Sequence, residues 1–585
     1  MPVAKERPNA GEQELRGIKV KHLREAMRYS YRRMGKSREF RHNALRQLVG
    51  LHYSDRGTTD RMPLPLLLSG VEMMRTQLCS GQPRTKIRST NAQMQRYAWL
   101  LTEIINARSK RQRWNKTLDY CVTDALILAG LLKLGRKSAG VGRFDDVTYQ
   151  TGDVHCSRVD WDNAVIDVTH GTDPGTWRFI GDKRRVPLRK LREDPEVDQR
   201  ILKQVSEGED PGEREEGGED RAEDLAFDIK VSDGEIEPHV TVTDLWLREE
   251  NLILTFLDQG NTGPLLMRDW TGSPRGPYHF LSLGYVPSNW LPLSPAHQVL
   301  DLHIGVNTLY NKLVRQAERQ KQIAVGQEDV AEDLQKVANA IDGASVAAES
   351  PSEVKELSLF QPDQLVLAFT LNMVRQHNKF AGNPEALSGV KSAAETLGQE
   401  RILLGQSQER LNALRELVMD WAQGIYEDAA WYEFSNPLGY EQVPFDIAGT
   451  GVQGTAEYLS FDAQNAGSFD DLNFEMDMYS MVRMSAMDKL RGLDGIFRTF
   501  IAPYLSVLEA QEMGINFQEL YRLVGEWSGI REMGDLVQVV NGQLYPSRDQ
   551  NRGPRQSPVT TRNYTRNNTS TESPDQQDLK LEQAL

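Results

Sequence analysis

Cysteine is nearly missing: Cys79, Cys121 and Cys156 are the only three in 585 residues. They stand far apart without metal-ligand spacing, which argues against a disulfide scaffold or a zinc cluster. Small apolar packing groups in a reducing compartment are the expected reading. Long apolar runs are also lacking. Leu64–Leu68 and Ala125–Leu132 are the best candidates, and both fall far short of the ~18–20 residues a membrane span needs. The N-terminus is charged and has no apolar stretch of the kind a secretory signal carries. No internal repeat is visible. The expectation is a large cytosolic protein with no membrane partner.

Motifs that carry chemistry are equally scarce. Gly449-Thr-Gly-Val-Gln-Gly454 fits the dinucleotide pattern, but that fingerprint needs a strand before it and a helix opening at its end. PFDIA is a poor strand and TAEYLSFDAQ is weakly helical, so a loop is expected. Gly130 to Ser138 resembles a phosphate-binding loop, yet Arg136 occupies the required lysine position and the first half reads as apolar helix. His155 and Cys156 are adjacent on a strand-like segment, so they point to opposite faces and cannot share a metal. His170, His239, His279, His297, His303 and His377 are scattered and read as hydrogen-bonded structural residues. Carboxylates are abundant without a spacing that singles out an acid and a base. No catalytic residue, cofactor or metal is expected.

What the chain does have is length, segregated charge and helices. At 39% hydrophobic and 26% charged residues it is an ordinary globular composition, long enough for several domains. The net charge of −14 hides an asymmetry. Arg16–Arg46 holds eleven Lys and Arg against Glu25 and Glu39, and Ser206–Asp224 holds ten Asp and Glu against Arg214 and Arg221. The basic stretch could touch nucleic acid, meet an acidic protein patch or be a solvated helix face. Without stacking platforms it favours contact with another subunit or a coat protein over nucleic acid. The acidic segment is expected to be a mobile loop.

The coarse pattern is mixed α/β and mainly helical. Helices are expected at Ile18–Arg33, Phe40–Leu51, over LLLSGVEMMRTQL, at Asn91–Ala107, at Trp114–Gly135 and over PLRKLREDPEVDQRILKQV. Strands are expected at Asp145–Gln150, Trp161–Val168 and Thr176–Ile180. Val240–Arg248 and Leu252–Leu257 read as a hairpin turned at Glu249–Glu250–Asn251. Two helices, Ser294–Gln320 and Pro362–Phe380, flank an insert of about forty residues, which holds a short helix (Asp329–Asn339) and a strand near Val346. The insert is too small to fold alone. A third helix runs from about Glu395 to Phe434. Ser435–Ser468 is loop-rich, a strand lies near Phe474–Met476, and helices follow at Met487–Phe500 and Phe517–Trp527. The polar tail from Tyr545 reads as disordered.

In their order, several local runs resemble the portal, or head-to-tail connector, proteins of tailed bacteriophages, over roughly Arg24 to Val540. LPLLLSGVEMMRTQL with DALILAGLLKLG is similar to the family's wing helices. WDNAVIDVTHGTDPGTWRFIGDKRRVPLRKLRED is similar to its β-rich wing. VTVTDLWLREENLILTF, then GPYHFLSLGYVPSNWLPLSPAHQVLDLHIGVNTLYNKL, resembles the hairpin, proline-rich approach and first stem helix. SAAETLGQER is similar to the start of the long wing helix, and FDDLNFEMDMYSMVRM to the return strand before the crown. The acidic segment and the polar tail are not family hallmarks.

The resemblance implies a disordered arm (1–23), a wing (24–293), stem helices (294–320 and 362–380), a clip (321–361) and a tunnel loop (381–394). The long wing helix and return strands (395–484), a helical crown (485–544) and a disordered tail (545–585) would complete the subunit. It also implies a non-enzymatic dodecameric ring at one capsid vertex of the virion, made in the host cytoplasm. Double-stranded DNA would be packaged and ejected through it. The partners implied are the major capsid protein and scaffold, the large terminase and the tail adaptor proteins. Within the tunnel loop, Asn383, Ser388 and Lys391 are the expected DNA-facing groups, Lys391 being its sole basic residue.

Physical sense supports that expectation. A stem helix of 27 residues spans about 40 Å. A ring needs two unlike complementary surfaces on each subunit, which segregated charge suits. A net negative wall avoids the deep phosphate-binding wells that would stall a sliding polyanion. The alternatives are another virion component (adaptor, scaffold or coat) and a nucleic-acid enzyme of the packaging machinery.

Overall fold

In the computed structural model the described residues are 14–15, 18–49, 64–136, 142–144, 147–149, 152–170, 173–203, 239–258, 263–287, 289–325, 331–339, 355–359, 363–382, 397–435, 442–445, 457–460, 467–476, 480–481, 498, 537–540 and 543–546. The chain divides into two units, 1–446 with 456–483 and 447–455 with 484–585. In the first, helical residues outnumber strand residues, and the strands form small antiparallel sheets, so the fold is mixed α/β and mainly helical.

α1 (Val20–Arg33), α2 (Gly35–Val49), α3 (Leu66–Leu78), α4 (Gln95–Arg111) and α5 (Trp114–Ile127) come first. β1 (Thr85–Ser89) lies between α3 and α4. The apolar run expected to extend the fifth helix to Gly135 instead splits: α5 stops at Ile127 and β2 (Gly130–Arg136) begins. The reason lies at Gly130. A Cβ there would sit 2.4 Å from the Cys121 carbonyl oxygen, so only glycine lets the strand fold back onto its own helix. This also corrects the reading of the phosphate-loop resemblance, whose first half is strand rather than helix.

β2 is the middle strand of a three-stranded sheet, between β3 (Val154–Val159) and a later strand, and His155 and Cys156 lie on β3. A short hairpin pairs Gly142–Phe144 with Val147–Tyr149, and its second strand falls within the expected Asp145–Gln150. β4 (Ala164–Ile166) is the core of the expected Trp161–Val168 strand. Thr176–Ile180 is not a strand throughout. Asp173, whose carboxylate accepts the Gly175 N–H at 2.8 Å, caps a turn over Pro174–Thr176, and β5 then runs from Phe179 to Pro187. The helical stretch after it is two short pieces, α6 (Leu188–Glu193) and α7 (Gln199–Leu202), separated around Pro195; Asp198 caps the second.

β6 (His239–Leu247) and β7 (Leu252–Leu257) form the expected hairpin, and Asn251 takes the left-handed conformation (φ 53°) its turn requires. With β8 (Leu266–Asp269) they build a five-stranded antiparallel sheet ordered β8-β7-β6-β5-β4. α1 packs Val20, Leu23 and Met27 on this sheet against Phe179, Leu245, Leu254 and Phe256. The basic stretch is therefore partly turned inward. Arg24 donates to the Leu257 carbonyl (2.5 Å), Arg38 to those of Tyr31 and Ala164, and Arg41 to Asp162 (2.6 Å).

β9 (Tyr278–Leu281) completes the β9-β2-β3 sheet and leads to α8 (Pro295–Arg319). β10 (Lys321–Val325), α9 (Ala331–Ala338) and β11 (Lys355–Leu359) follow, then α10 (Gln364–Phe380) and α11 (Leu397–Ser435). Val346 lies outside the described residues, and among the described residues of the insert the strands are β10 and β11, paired antiparallel at its base. The Ser435–Ser468 stretch contains a strand pair, β12 (Gln442–Phe445) with β13 (Glu457–Ser460). The glycine run between them is outside the described residues. β12 takes in Pro444 and Phe445 of the run expected to be a poor strand, and a strand rather than a helix follows the glycines, against the weakly helical expectation.

β14 (Leu472–Met476) pairs with β1 and so ties together segments 390 residues apart. The main core joins α3, α4, α5 and α11 with β2, β9 and β14 around Trp114, Leu126, Val418, Ile425 and Tyr426. Arg108 of α4 and Glu433 of α11 form an ion pair inside it, both side chains fully buried. In the second unit, β15 (Val537–Val540) pairs with β16 (Gln543–Pro546), so strand structure extends two residues into the expected tail. The expected helices at Met487–Phe500 (Arg498 apart) and Phe517–Trp527, the acidic segment and the rest of the tail are outside the described residues.

Candidate functional site

α8 and α10 form an antiparallel pair. The His303 ring lies 6.3 Å from that of His377, and Gly305 lies against Met373, so residue numbers rise on one helix as they fall on the other. Each helix starts where its sequence dictates. The Ser294 hydroxyl accepts the His297 N–H at 3.1 Å, and Pro295 occupies the first turn, where no amide hydrogen is needed. The Asp363 carboxylate accepts the Leu365 N–H at 2.9 Å. α10 ends with Ala381 N–H on the His377 carbonyl and Gly382 at φ +86°, a stop that glycine adopts without a Cβ penalty. The boundaries match the sequence expectation to within two residues.

Four contacts moor the pair to the body. Ser294 Oγ donates to the Ile127 carbonyl (2.6 Å), locking the start of α8 to the end of α5. Asn307 exchanges two hydrogen bonds with the Leu64 backbone, at 2.7 and 3.3 Å, just before α3. Arg410 of α11 donates to the Phe380 carbonyl (2.6 Å) and to Gln298 (2.9 Å), spanning both helices. Phe40 stacks on His297 at 4.0 Å. The Ser-Pro start was readable from sequence; Asn307 and Arg410 were not, because their partners are distant along the chain.

His303 and His377 are the histidines that sequence reading left scattered but the fold brings together, and both are buried. Burial, then the neighbouring His377, pushes the His303 imidazole down to about 4; a backbone hydrogen bond at Gln47 acts the other way. Burial also lowers His377, opposed by Asn378. Both rings are neutral at pH 7, so the helix interface carries no net charge there.

A second dense polar cluster joins the two sheets. Lys133 of β2 donates to Asp182 (2.6 Å) and Asp244 (3.0 Å), Tyr278 to Asp182 (2.5 Å), Thr255 and Arg184 to Asp244 (2.8 and 2.7 Å). Burial favours the protonated acid at Asp244, but Lys133 and Arg184 outweigh it and hold the group well below the usual carboxylate range. These donors and acceptors satisfy one another, as in a structural link between sheets. Among the described residues no group of three or more His, Cys, Asp and Glu is placed to hold a metal ion. Nor is any helix among them long and apolar enough to cross a membrane.

Asn383, Ser388 and Lys391 lie outside the described residues; of that loop only Ala381 and Gly382 are described. No family model matches this chain, and no curated protein matches it.

Proposed function

We propose that this chain is the subunit of a portal ring, a non-enzymatic virion component at one capsid vertex through which double-stranded DNA is packaged and ejected. One observation carries the reading: an antiparallel helix pair, fixed to a large α/β body at one end, bears a small β-hairpin-and-helix insert at the other. Helices of 25 and 17 residues reach about 38 and 25 Å. Copies set side by side would give a tubular wall with the inserts as a collar. In this reading the body is the wing, α8 and α10 the stem, the 321–361 insert the clip and the 485–544 segment the crown.

The same reading assigns the clip to the large terminase and then the tail adaptors, and the wing to the major capsid protein and scaffold. A ring of twelve copies and DNA contact by Asn383, Ser388 and Lys391 also belong to it. Negative-stain images and native mass of the purified chain test it. A ring with a central hole, near twelve subunit masses, is expected; a chain that stays monomeric under assembly conditions sinks the proposal. If Lys391→Ala and Ser388→Ala particles package and eject DNA at normal rates, the loop residues lose their assigned role.

A further inference from the structure

His303 and His377 meet across the α8–α10 interface, their ring centres 6.3 Å apart and the residues only 2% and 1% exposed. A buried neutral imidazole ordinarily spends both ring nitrogens, one as donor and one as acceptor. Each of these rings spends one. His377 Nδ1 contacts the Asn378 side-chain oxygen at 3.4 Å, where the oxygen can only accept, and its Nε2 is buried with no hydrogen-bond partner. At His303 the hydrogen bond to the Gln47 main chain favours the protonated ring, as donation by a ring N–H does.

Asn307 does not use the remaining nitrogen of His303. Its amide nitrogen stands 3.4 and 3.2 Å from the two ring nitrogens. A group almost equidistant from both cannot lie in the ring plane, where Cε1 stands between them, so it rests on the ring face. Its hydrogens go to the Leu64 and His303 carbonyls, at 3.3 and 3.1 Å. Each imidazole therefore keeps one in-plane lone pair unused inside a closed interface.

One N–H held by an oxygen and the other nitrogen bare is the outer support of a histidine metal ligand. Spacing and softness select the ion. A metal–nitrogen bond of about 2.0 Å, with about 1.1 Å from nitrogen to ring centre, sets two collinear imidazoles about 6.2 Å apart, against about 5 Å at a tetrahedral angle. The observed 6.3 Å fits the near-linear case, which suits the cuprous ion and not tetrahedral zinc. Met373, one turn before His377 and against Gly305, brings a soft thioether into the same interface. Burial holds both rings neutral at pH 7, so an entering ion displaces no proton.

We infer that His303 and His377 together bind one cuprous ion, a clasp between α8 and α10. The site stands apart from the portal reading and needs no second copy of the chain.

The test titrates the full-length chain with Cu+ under ascorbate, in competition with bicinchoninate. One ion per chain is expected, with Zn2+ far weaker. His303→Phe and His377→Phe should each weaken uptake by about a hundredfold or more, with circular dichroism confirming that helix content is kept. Both variants retain the three cysteines, so they also reveal any thiol-bound copper. X-ray absorption of the loaded parent, which needs no variant to fold, should show two nitrogen neighbours at about 2.0 Å. The inference is overturned if uptake survives in either variant, if the metal's neighbours are sulfur alone, or if Zn2+ binds as tightly as Cu+. A parent that takes up no copper overturns it as well, and leaves a bridging water between the rings.

Discussion

Removing one member of the buried Arg108–Glu433 pair should destabilise the body asymmetrically. Both side chains are fully buried, but Glu433 has a second cation, Arg136, at 3.5 Å. Replacing Glu433 with Leu takes from the Arg108 guanidinium the carboxylate that balances it inside the core. Breaking a buried pair in this way costs about 3–5 kcal/mol, and Glu433→Leu should lie at the upper end. Arg108→Met leaves Glu433 its contact with Arg136, so a loss of about 2–3 kcal/mol is expected. The double replacement removes both charges and substitutes apolar volume, which should recover at least ~2 kcal/mol relative to Glu433→Leu. Urea titration followed by tryptophan fluorescence reads this region, since Trp114 packs edge-on against Tyr426 in the same core. A loss below ~1 kcal/mol for Glu433→Leu, or a double variant no better than it, would refute the ion-pair reasoning.

Acid should weaken the α8–α10 pair. His303 has its folded pKa pushed from 6.5 to about 4, so the unfolded chain binds more protons between those values. The stabilisation is full above pH 6.5 and is lost as pH falls towards 4, by roughly 3 kcal/mol for that group. The urea midpoint of His303→Phe/His377→Phe should fall less from pH 7 to 4 than the parent's; equal slopes would count against it. Gly130→Ala should cost more than ~2 kcal/mol, because its Cβ meets the Cys121 carbonyl at 2.4 Å, and an unchanged melting curve would contradict that packing. All three cysteines are buried, with burial pushing Cys79 and Cys156 up to about 12. Ellman's reagent at pH 8 should find no thiol in the folded chain and three in urea; rapid reaction without denaturant would disprove their inertness.

The sequence was legible where the determinants are local. Ser294-Pro295 and Asp363 announce helix starts, and the Val240–Leu257 hairpin follows from alternation around an Asn251 turn. It misled where tertiary contact overrode composition. Residues 125–135 are apolar enough for a continuous helix, and only the return of β2 onto Cys121 breaks it. The basic surplus of 16–46 looked like a surface feature, yet Arg24, Arg38 and Arg41 point into carbonyls and a carboxylate that pattern alone cannot locate. The His303–His377 pairing and the Arg410 clamp needed the antiparallel register of two separate helices.

The β1–β14 ladder has a consequence for synthesis. Its first strand leaves the ribosome some 390 residues before its second, which at 5–20 residues per second is a wait of roughly 20–80 s. During that interval the α8–α10 hairpin can form from local contacts while the edge of β1 stays open. Chains still being translated therefore carry the exposed apolar residues of α10 before their body is sealed, and a translation-paced delay or a holding chaperone would decide whether they aggregate.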